Sequence, residues 1–250
     1  MTTEPIHTIS LGAGVQSSTM ALMAAKGEIT PMPTCAIFAD TKDEPDEVYD
    51  LLKKLERLLP FPVIRVTNGR LSDTFGAKFC HLPTFKLKRN GKVSMGKRQC
   101  TRHFKLKPMY GYLRRELNAT AKNPITFWIG ITTDEISRVK PARVKYVVNR
   151  WPFIELERNR AWCENYLRKN GIKPVKSACF FCPLHSDATW RALPNPYMTR
   201  AIKLDAWFTQ TRGEYLHHSC KPLSEVDFST EEERGQLNMF NNECEGMCGV

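Results

Sequence analysis

Apolar and polar positions along the chain fall into blocks whose lengths mark strands and helices in turn. Residues 6–11 (IHTISL) form a short β-prone run, Gly12 to Gly14 interrupt it, and residues 17–26 (SSTMALMAAK) have the composition of a helix with Ser17 or Ser18 near its N-cap. A second buried strand is predicted over 34–38 (TCAIF). An acidic turn follows, then a helix from about Pro45 on which Val48, Leu51, Leu52, Leu55 and Leu58 recur at helical spacing until Pro60 ends it. Residues 63–66 and 125–131 (ITFWIGI) are further continuous apolar runs of strand length, the pattern of strands covered on both faces. The order βαβαβ predicts an α/β fold with a doubly wound, mostly parallel sheet. Helices are also predicted over 109–117, 158–170 and 198–211, with Gly171 and Pro174 as punctuation between the last two. The expected division is an α/β nucleotide-binding domain over 1–175, carrying an insertion at about 76–115 with an Asn90-Gly91 turn, and a cysteine-containing C-terminal subdomain over 176–250.

A chain of 250 residues, 42% of them hydrophobic, can bury the core of one main domain. Its first residues lack a basic start followed by an apolar run, and no stretch approaches the roughly 18 consecutive apolar residues of a membrane helix. A cytoplasmic protein without a membrane partner is expected. Net charge is +11, and residues 86–115 hold eleven Lys and Arg but no Asp or Glu, so this one stretch accounts for the whole excess. It is either a solvated basic face or the site of an anionic ligand, a nucleotide or the backbone of RNA or DNA. Nine cysteines are too few for a disulfide scaffold and point to ligands, nucleophiles or buried thiols.

Where the first strand meets the first helix, the segment from Ser10 through Gly12, Gly14, Gln16, Ser17 and Ser18 would turn backbone N–H groups and a helix N-terminus towards an anion. A tight turn explains the glycines equally well. The loop resembles the pyrophosphate (PP) loop of the adenine nucleotide alpha-hydrolase superfamily, in particular its phosphoadenosine phosphosulfate reductase-like branch. The usual form there is SGGxDS; Gly14 and Ser17 match, Gln16 replaces the acid, and Ala13 stands at a glycine position. Three further segments resemble that family in the same order. Asp40 and Thr41 begin a turn like ADTGxExP, Arg98 to Pro108 follow R-x-C-T-x-x-x-K-x-x-P, and Gly130 to Arg138 follow G-I-x-x-D-E-x-x-R.

The resemblance implies a Rossmann-like fold of the alpha-hydrolase type. It implies ATP or a sulfonucleotide bound by Ser10, Gly12, Gly14, Gln16, Ser17, Ser18 and Gly130, with Asp40 and Thr41 near the adenosine, and Asp134 or Glu135 holding Mg²⁺ or a ribose hydroxyl. Lys105, Arg102 and Arg138 are then the groups that neutralise phosphate or sulfate. A salt-bridged helix start is the rival reading of 134–138.

The pair Cys179-Phe-Phe-Cys182 has the spacing of two ligands to one metal or cluster, or of one disulfide. Cys179 follows Cys100 by 79 residues, close to the gap in assimilatory adenosine phosphosulfate reductases, although Gln99 stands where their paired cysteine would be. The resemblance thus implies a 4Fe–4S cluster on Cys100, Cys179 and Cys182, with Cys244 a candidate fourth ligand or the fourth iron position open; zinc is the alternative. Cys35 and Cys163 read as buried thiols. Glu243-Cys244 and Cys248-Gly249 each resemble half of the ECGLH-like motif that carries a nucleophile in thiol-dependent reductases, which makes Cys248 a catalytic candidate. His185, beside the cysteine pair, and His217 and His218, near Cys220, read either as ligand-orienting or as surface side chains.

Three functions stay open: an ATP-dependent enzyme that adenylates an acceptor such as a nucleic acid for sulfur transfer from a donor protein; a sulfonucleotide reductase served by a thioredoxin-type partner; and a non-catalytic nucleotide- or nucleic-acid-binding protein.

Overall fold

The computed structural model describes residues 5–76 and 81–230. In chain order the strands are β1 (His7–Ser10), β2 (Cys35–Asp40), β3 (Val63–Thr67), β4 (Phe85–Leu87), β5 (Val93–Met95), β6 (Ile125–Trp128) and β7 (Val147–Arg150). The α-helices are α1 (Val15–Ala25), α2 (Asp46–Leu58), α3 (Lys107–Arg115), α4 (Pro152–Glu155), α5 (Arg160–Lys169), α6 (Asp187–Arg191) and α7 (Asn195–Arg212). The chain forms two compact units, one of residues up to Leu71 with Thr101–Ser177, the other of Ser72–Cys100 with the residues from Ala178 on. Residues 72–100, which include the first half of the basic stretch (86–100), group with the residues from Ala178 on, and its second half, 101–115, groups with the first unit.

The first unit is an α/β fold whose five strands are all parallel, in the order β3-β2-β1-β6-β7. Successive side chains of a strand face opposite ways, and β2 shows the consequence. Cys35, Ile37 and Ala39 join a core with Met109 and Leu113 of α3, while Ala36 and Phe38 join Val48, Leu52 and Leu55 of α2 and Met20 of α1 on the other face. Strand order reverses between β1 and β6, since β2 and β3 extend to one side of β1 and β6 and β7 to the other. In such sheets the crevice for ligands lies beyond the carboxyl ends of the strands at that reversal.

Two expectations about helices are corrected. The first helix begins at Val15 with Gly14 as N-cap, not at Ser17 or Ser18, because the Ser17 hydroxyl turns back to accept the Gly12 N–H at 3.0 Å. On α2, Leu58 is 51% exposed, so the buried stripe ends at Leu55. The edge strand β7 was not expected: only Val147 of its four residues is buried, which leaves no alternation to read. Cys35 and Cys163 are buried as expected, and burial pushes their thiols up to about 11 and about 12.

In the second unit β4 and β5 form an antiparallel hairpin, turning at Asn90-Gly91 with Gly91 at φ +75°. Helix α7 stops at Gly213, whose φ of +61° supplies the left-handed C-terminal turn. Asp205 of α7 is 1% exposed and accepts the N–H groups of Leu216 and Leu223, both at 2.7 Å, so one carboxylate closes the loop between them. Among the described residues no helix is long and apolar enough to cross a membrane.

Candidate functional site

The turn after β1 carries backbone in an uncommon conformation: Ala13 is at φ +53° and fully buried. A left-handed alanine costs roughly 1–2 kcal/mol, which the packing around it must offset. That packing is close on two sides. A Cβ added at Gly14 would lie 3.3 Å from the Cβ and N of Ser177, and one at Gly130, just past β6, 3.1 Å from the Cβ of Gln16 and the N of Ser17. Glycine at 14 and 130 thus lets the loop and the first turn of α1 sit between two neighbouring backbones at the point of strand reversal.

Helix α1 starts there with no side-chain cap and no acidic residue in its first turn, whereas α2 carries Asp46 and Glu47 in its own. Its leading N–H groups have no partner within the helix, and the helix dipole adds partial positive charge at the same place. Beside this end lies a small, partly open cavity of about 50 Å³ lined in part by Ser10, Gly12, Ala39, Glu44, Lys105 and Ser177. Ser10, Gly12 and Lys105 were expected at a nucleotide site; Glu44 and Ser177 were not singled out.

Glu44 is the unusual member. It is 5% exposed, with Lys105 Nζ at 3.7 Å and the Ser177 hydroxyl donating to it at 3.3 Å. Burial pushes its carboxyl above the usual glutamate range, against the opposing pull of Lys105 and Ser177. A carboxyl whose pKa is higher in the folded than in the unfolded protein favours folding most below the ordinary glutamate value. That contribution is lost as pH rises through the folded value. Glu44→Gln is accordingly expected to raise Tm near neutral pH by about 2–4 °C, corresponding to about 1 kcal/mol, with the gain shrinking towards pH 4. Thermal denaturation across pH checks it, and a gain that is constant with pH would contradict this account of Glu44.

A second cluster joins the loop to the turn after β6. Gln16 Nε2 donates to Glu135 Oε2 at 3.1 Å, and Glu135 pairs with Arg138. Asp134 accepts the Arg160 N–H at 3.3 Å and so meets the N-terminus of α5, while Thr132 is fully buried. Asp40 accepts the Lys42 N–H at 2.7 Å and the Tyr49 hydroxyl at 2.8 Å, ordering the turn after β2, and Thr41 is buried in that turn. Arg102 is exposed on the π-helical turn Thr101–Leu106 that also bears Lys105. Ser18 is fully buried in α1 and does not line the cavity.

The cysteines Cys100, Cys179 and Cys182 all belong to the second unit, Cys179 buried and the other two half-buried. Cys182 N–H donates to Cys179 O at 2.9 Å, forming a tight turn, and buried His185 braces it by donating from Nε2 to the same carbonyl at 3.1 Å. Cys244 and Cys248 lie outside the described residues.

No protein-family model matches the chain. No curated protein matches it either. Among solved structures it is similar to a phosphoadenylyl-sulfate reductase from Candida auris in a phosphate complex, at 14% identity and a TM-score of 0.47 over 69% of this chain and 76% of that one. It is also similar to the U34-tRNA thiolase NcsA from Methanococcus maripaludis with its 4Fe–4S cluster, at 12% identity and a TM-score of 0.39 over 99% of this chain and 77% of that one.

Proposed function

We propose that the chain is a PP-loop enzyme that uses ATP to adenylate an acceptor, a nucleic acid, and so prepares it for sulfur transfer. The observation that carries this reading is the uncapped, acid-free N-terminus of α1, set behind a glycine loop where strand order reverses. The ATP phosphates lie against the N–H groups of Val15, Gln16 and Ser17, with Ser10, Gly12 and Gly14 allowing close approach. Asp40 and Thr41 meet the adenosine part. An oxygen of the acceptor attacks the α-phosphorus, the bond to the bridging oxygen of the β-phosphate breaks, and pyrophosphate leaves with that electron pair. A sulfur nucleophile from a donor protein later displaces AMP. Lys105, Arg102 and Arg138 neutralise the charge that spreads over the phosphate oxygens in the first step. Glu44 holds Lys105 in place, and the carboxylates of Asp134 and Glu135 are oxygen donors of the kind Mg²⁺ takes.

The three thiols of Cys100, Cys179 and Cys182, with Cys244 as candidate fourth, would hold an iron–sulfur cluster of the 4Fe–4S type, a donor set equally suited to zinc. Bound there, a cluster supplies iron able to carry or relay sulfur. The acceptor reading is supported by the β4–β5 hairpin, where Lys86, Lys88, Arg89 and Lys92 are exposed and form no ion pair among the described residues. Leu87, Val93 and Met95, exposed by 55%, 47% and 43%, stand among them, so the hairpin offers charge for phosphodiesters and apolar surface for bases.

Incubation with ATP, Mg²⁺ and bulk RNA or DNA should release pyrophosphate only when the nucleic acid is present, and Lys105→Ala should lower the rate by about 10²-fold or more. Sulfite released from a sulfonucleotide, and lost in Cys248→Ser, would instead make the chain a reductase. Nucleotide binding without either reaction would leave a binding protein. Protein purified anaerobically should contain iron and absorb in the visible, and lose both in Cys179→Ser; colourless, iron-free protein would remove the cluster.

A further inference from the structure

Apart from the cysteines, the second unit gathers Asp187, His217 and His218, whose ligand atoms all lie within 4.8 Å of one another. Neither the PP-loop resemblance nor the proposed reaction gives these residues a role. We propose that they form a binding site for a divalent transition metal of the zinc type, with three protein ligands and the remaining coordination open to solvent.

The spacing suits an ion. Donors bonded to Zn²⁺ at about 2.0–2.1 Å in a tetrahedral shell stand roughly 3.3 Å apart, and Asp187 Oδ1 is 3.0 Å from His217 Nε2. His218 is exposed, and its ligand nitrogen lies within 4.8 Å of the other two donors. Two imidazoles and one carboxylate are a donor set for zinc or another first-row ion; they are not the soft all-sulfur set that the cysteines provide.

The ligands are also held from behind. His217 is 3% exposed, and its Nδ1 is 2.8 Å from the Ser219 hydroxyl. An Nδ1–H donated to that oxygen leaves the Nε2 lone pair facing Asp187, the arrangement by which an outer partner orients a histidine for a metal. Asp205 closes the loop at both ends through Leu216 and Leu223, and the Cys220 N–H donates to His217 O at 3.1 Å. Asp187 is fixed as the first residue of α6, whose N-cap Ser186 accepts the Thr189 N–H through its side chain. A rigid buried imidazole, a half-exposed carboxylate and an exposed imidazole therefore converge on one point at the surface. In the ordinary alternative Nε2 carries the proton, Nδ1 accepts the Ser219 N–H at 3.2 Å, and Asp187 and His217 share a hydrogen bond with no metal.

The full-length protein, stripped with a chelator, would be titrated with zinc chloride and studied by zinc X-ray absorption alongside His218→Ala and Asp187→Asn. The expected result is one equivalent in a shell of nitrogen and oxygen only, at about 2.0–2.1 Å, bound at least tenfold more weakly by either variant. Zinc on the cysteines would be recognised by sulfur at about 2.3 Å and would persist in both variants. Equal zinc content and affinity in all three proteins, or zinc with sulfur neighbours alone, overturns the proposal. Because His218 is exposed, His218→Ala keeps the test decisive should Asp187→Asn disturb α6; its circular dichroism without metal should match the parent.

Discussion

Alanine at position 130 is expected to weaken ATP binding tenfold or more and to lower Tm by about 2–12 °C. Its Cβ would stand 3.1 Å from the Cβ of Gln16 and from the N of Ser17, and 3.2 Å from the carbonyl carbon of Gln16. Two of these atoms are backbone of the first turn of α1, so no flexible side-chain end can swing aside. The whole turn must move away from β6. Overpacking of this kind costs about 1–3 kcal/mol, and each kcal/mol moves Tm by about 2–4 °C in a protein of this size. The displaced atoms are those proposed to meet the phosphates, so affinity falls along with stability. Gly76 is the control: a Cβ there would meet nothing within 4 Å and its φ is ordinary, so Gly76→Ala should leave both quantities unchanged. Wild-type Tm and wild-type affinity in Gly130→Ala would show that the loop does not need this close approach.

The second large effect falls in the other unit. Asp205→Ala removes the acceptor of the Leu216 and Leu223 N–H groups, and the loop that holds them is buried at both residues. Each buried donor left without a partner costs about 1–3 kcal/mol, so a loss of roughly 2–6 kcal/mol is expected. Asp205→Asn keeps one carbonyl oxygen and should lose about half as much. Urea denaturation of the three proteins orders them as parent, Asn, Ala; an Ala variant that unfolds at the parent's urea concentration would mean the loop is held by something else.

Much of the first unit was legible because its signals are local. A β-prone run, a glycine break and a helix follow one another in sequence, and so do the strands and helix of residues 34–66. The helix start was misplaced for an equally local reason. Serine is the better N-cap in general, but the Ser17 hydroxyl is taken by Gly12, and Gly14 caps because Ser177 leaves no room for a Cβ. Ser177 lies more than 160 residues away in sequence, and no pattern announces it. Glu44 was visible within its motif as one acid among several, and what sets it apart is burial, which composition does not encode. The second unit was the least legible. Its parts, 72–100 and the residues from 178, are joined by tertiary packing across an intervening 77 residues, and Asp187 meets His217 across thirty.

The central claim is that the phosphates of an adenine nucleotide bind at the first turn of α1, and amide chemical shifts on titration with ATP and Mg²⁺ address it residue by residue. The largest shifts are predicted at Gly12 to Ser17 and at Thr132 to Arg138, with adenosine, which lacks phosphates, leaving the amides of Val15, Gln16 and Ser17 unmoved. Saturating ATP that shifts other amides while those of Val15, Gln16 and Ser17 stay in place would contradict the account.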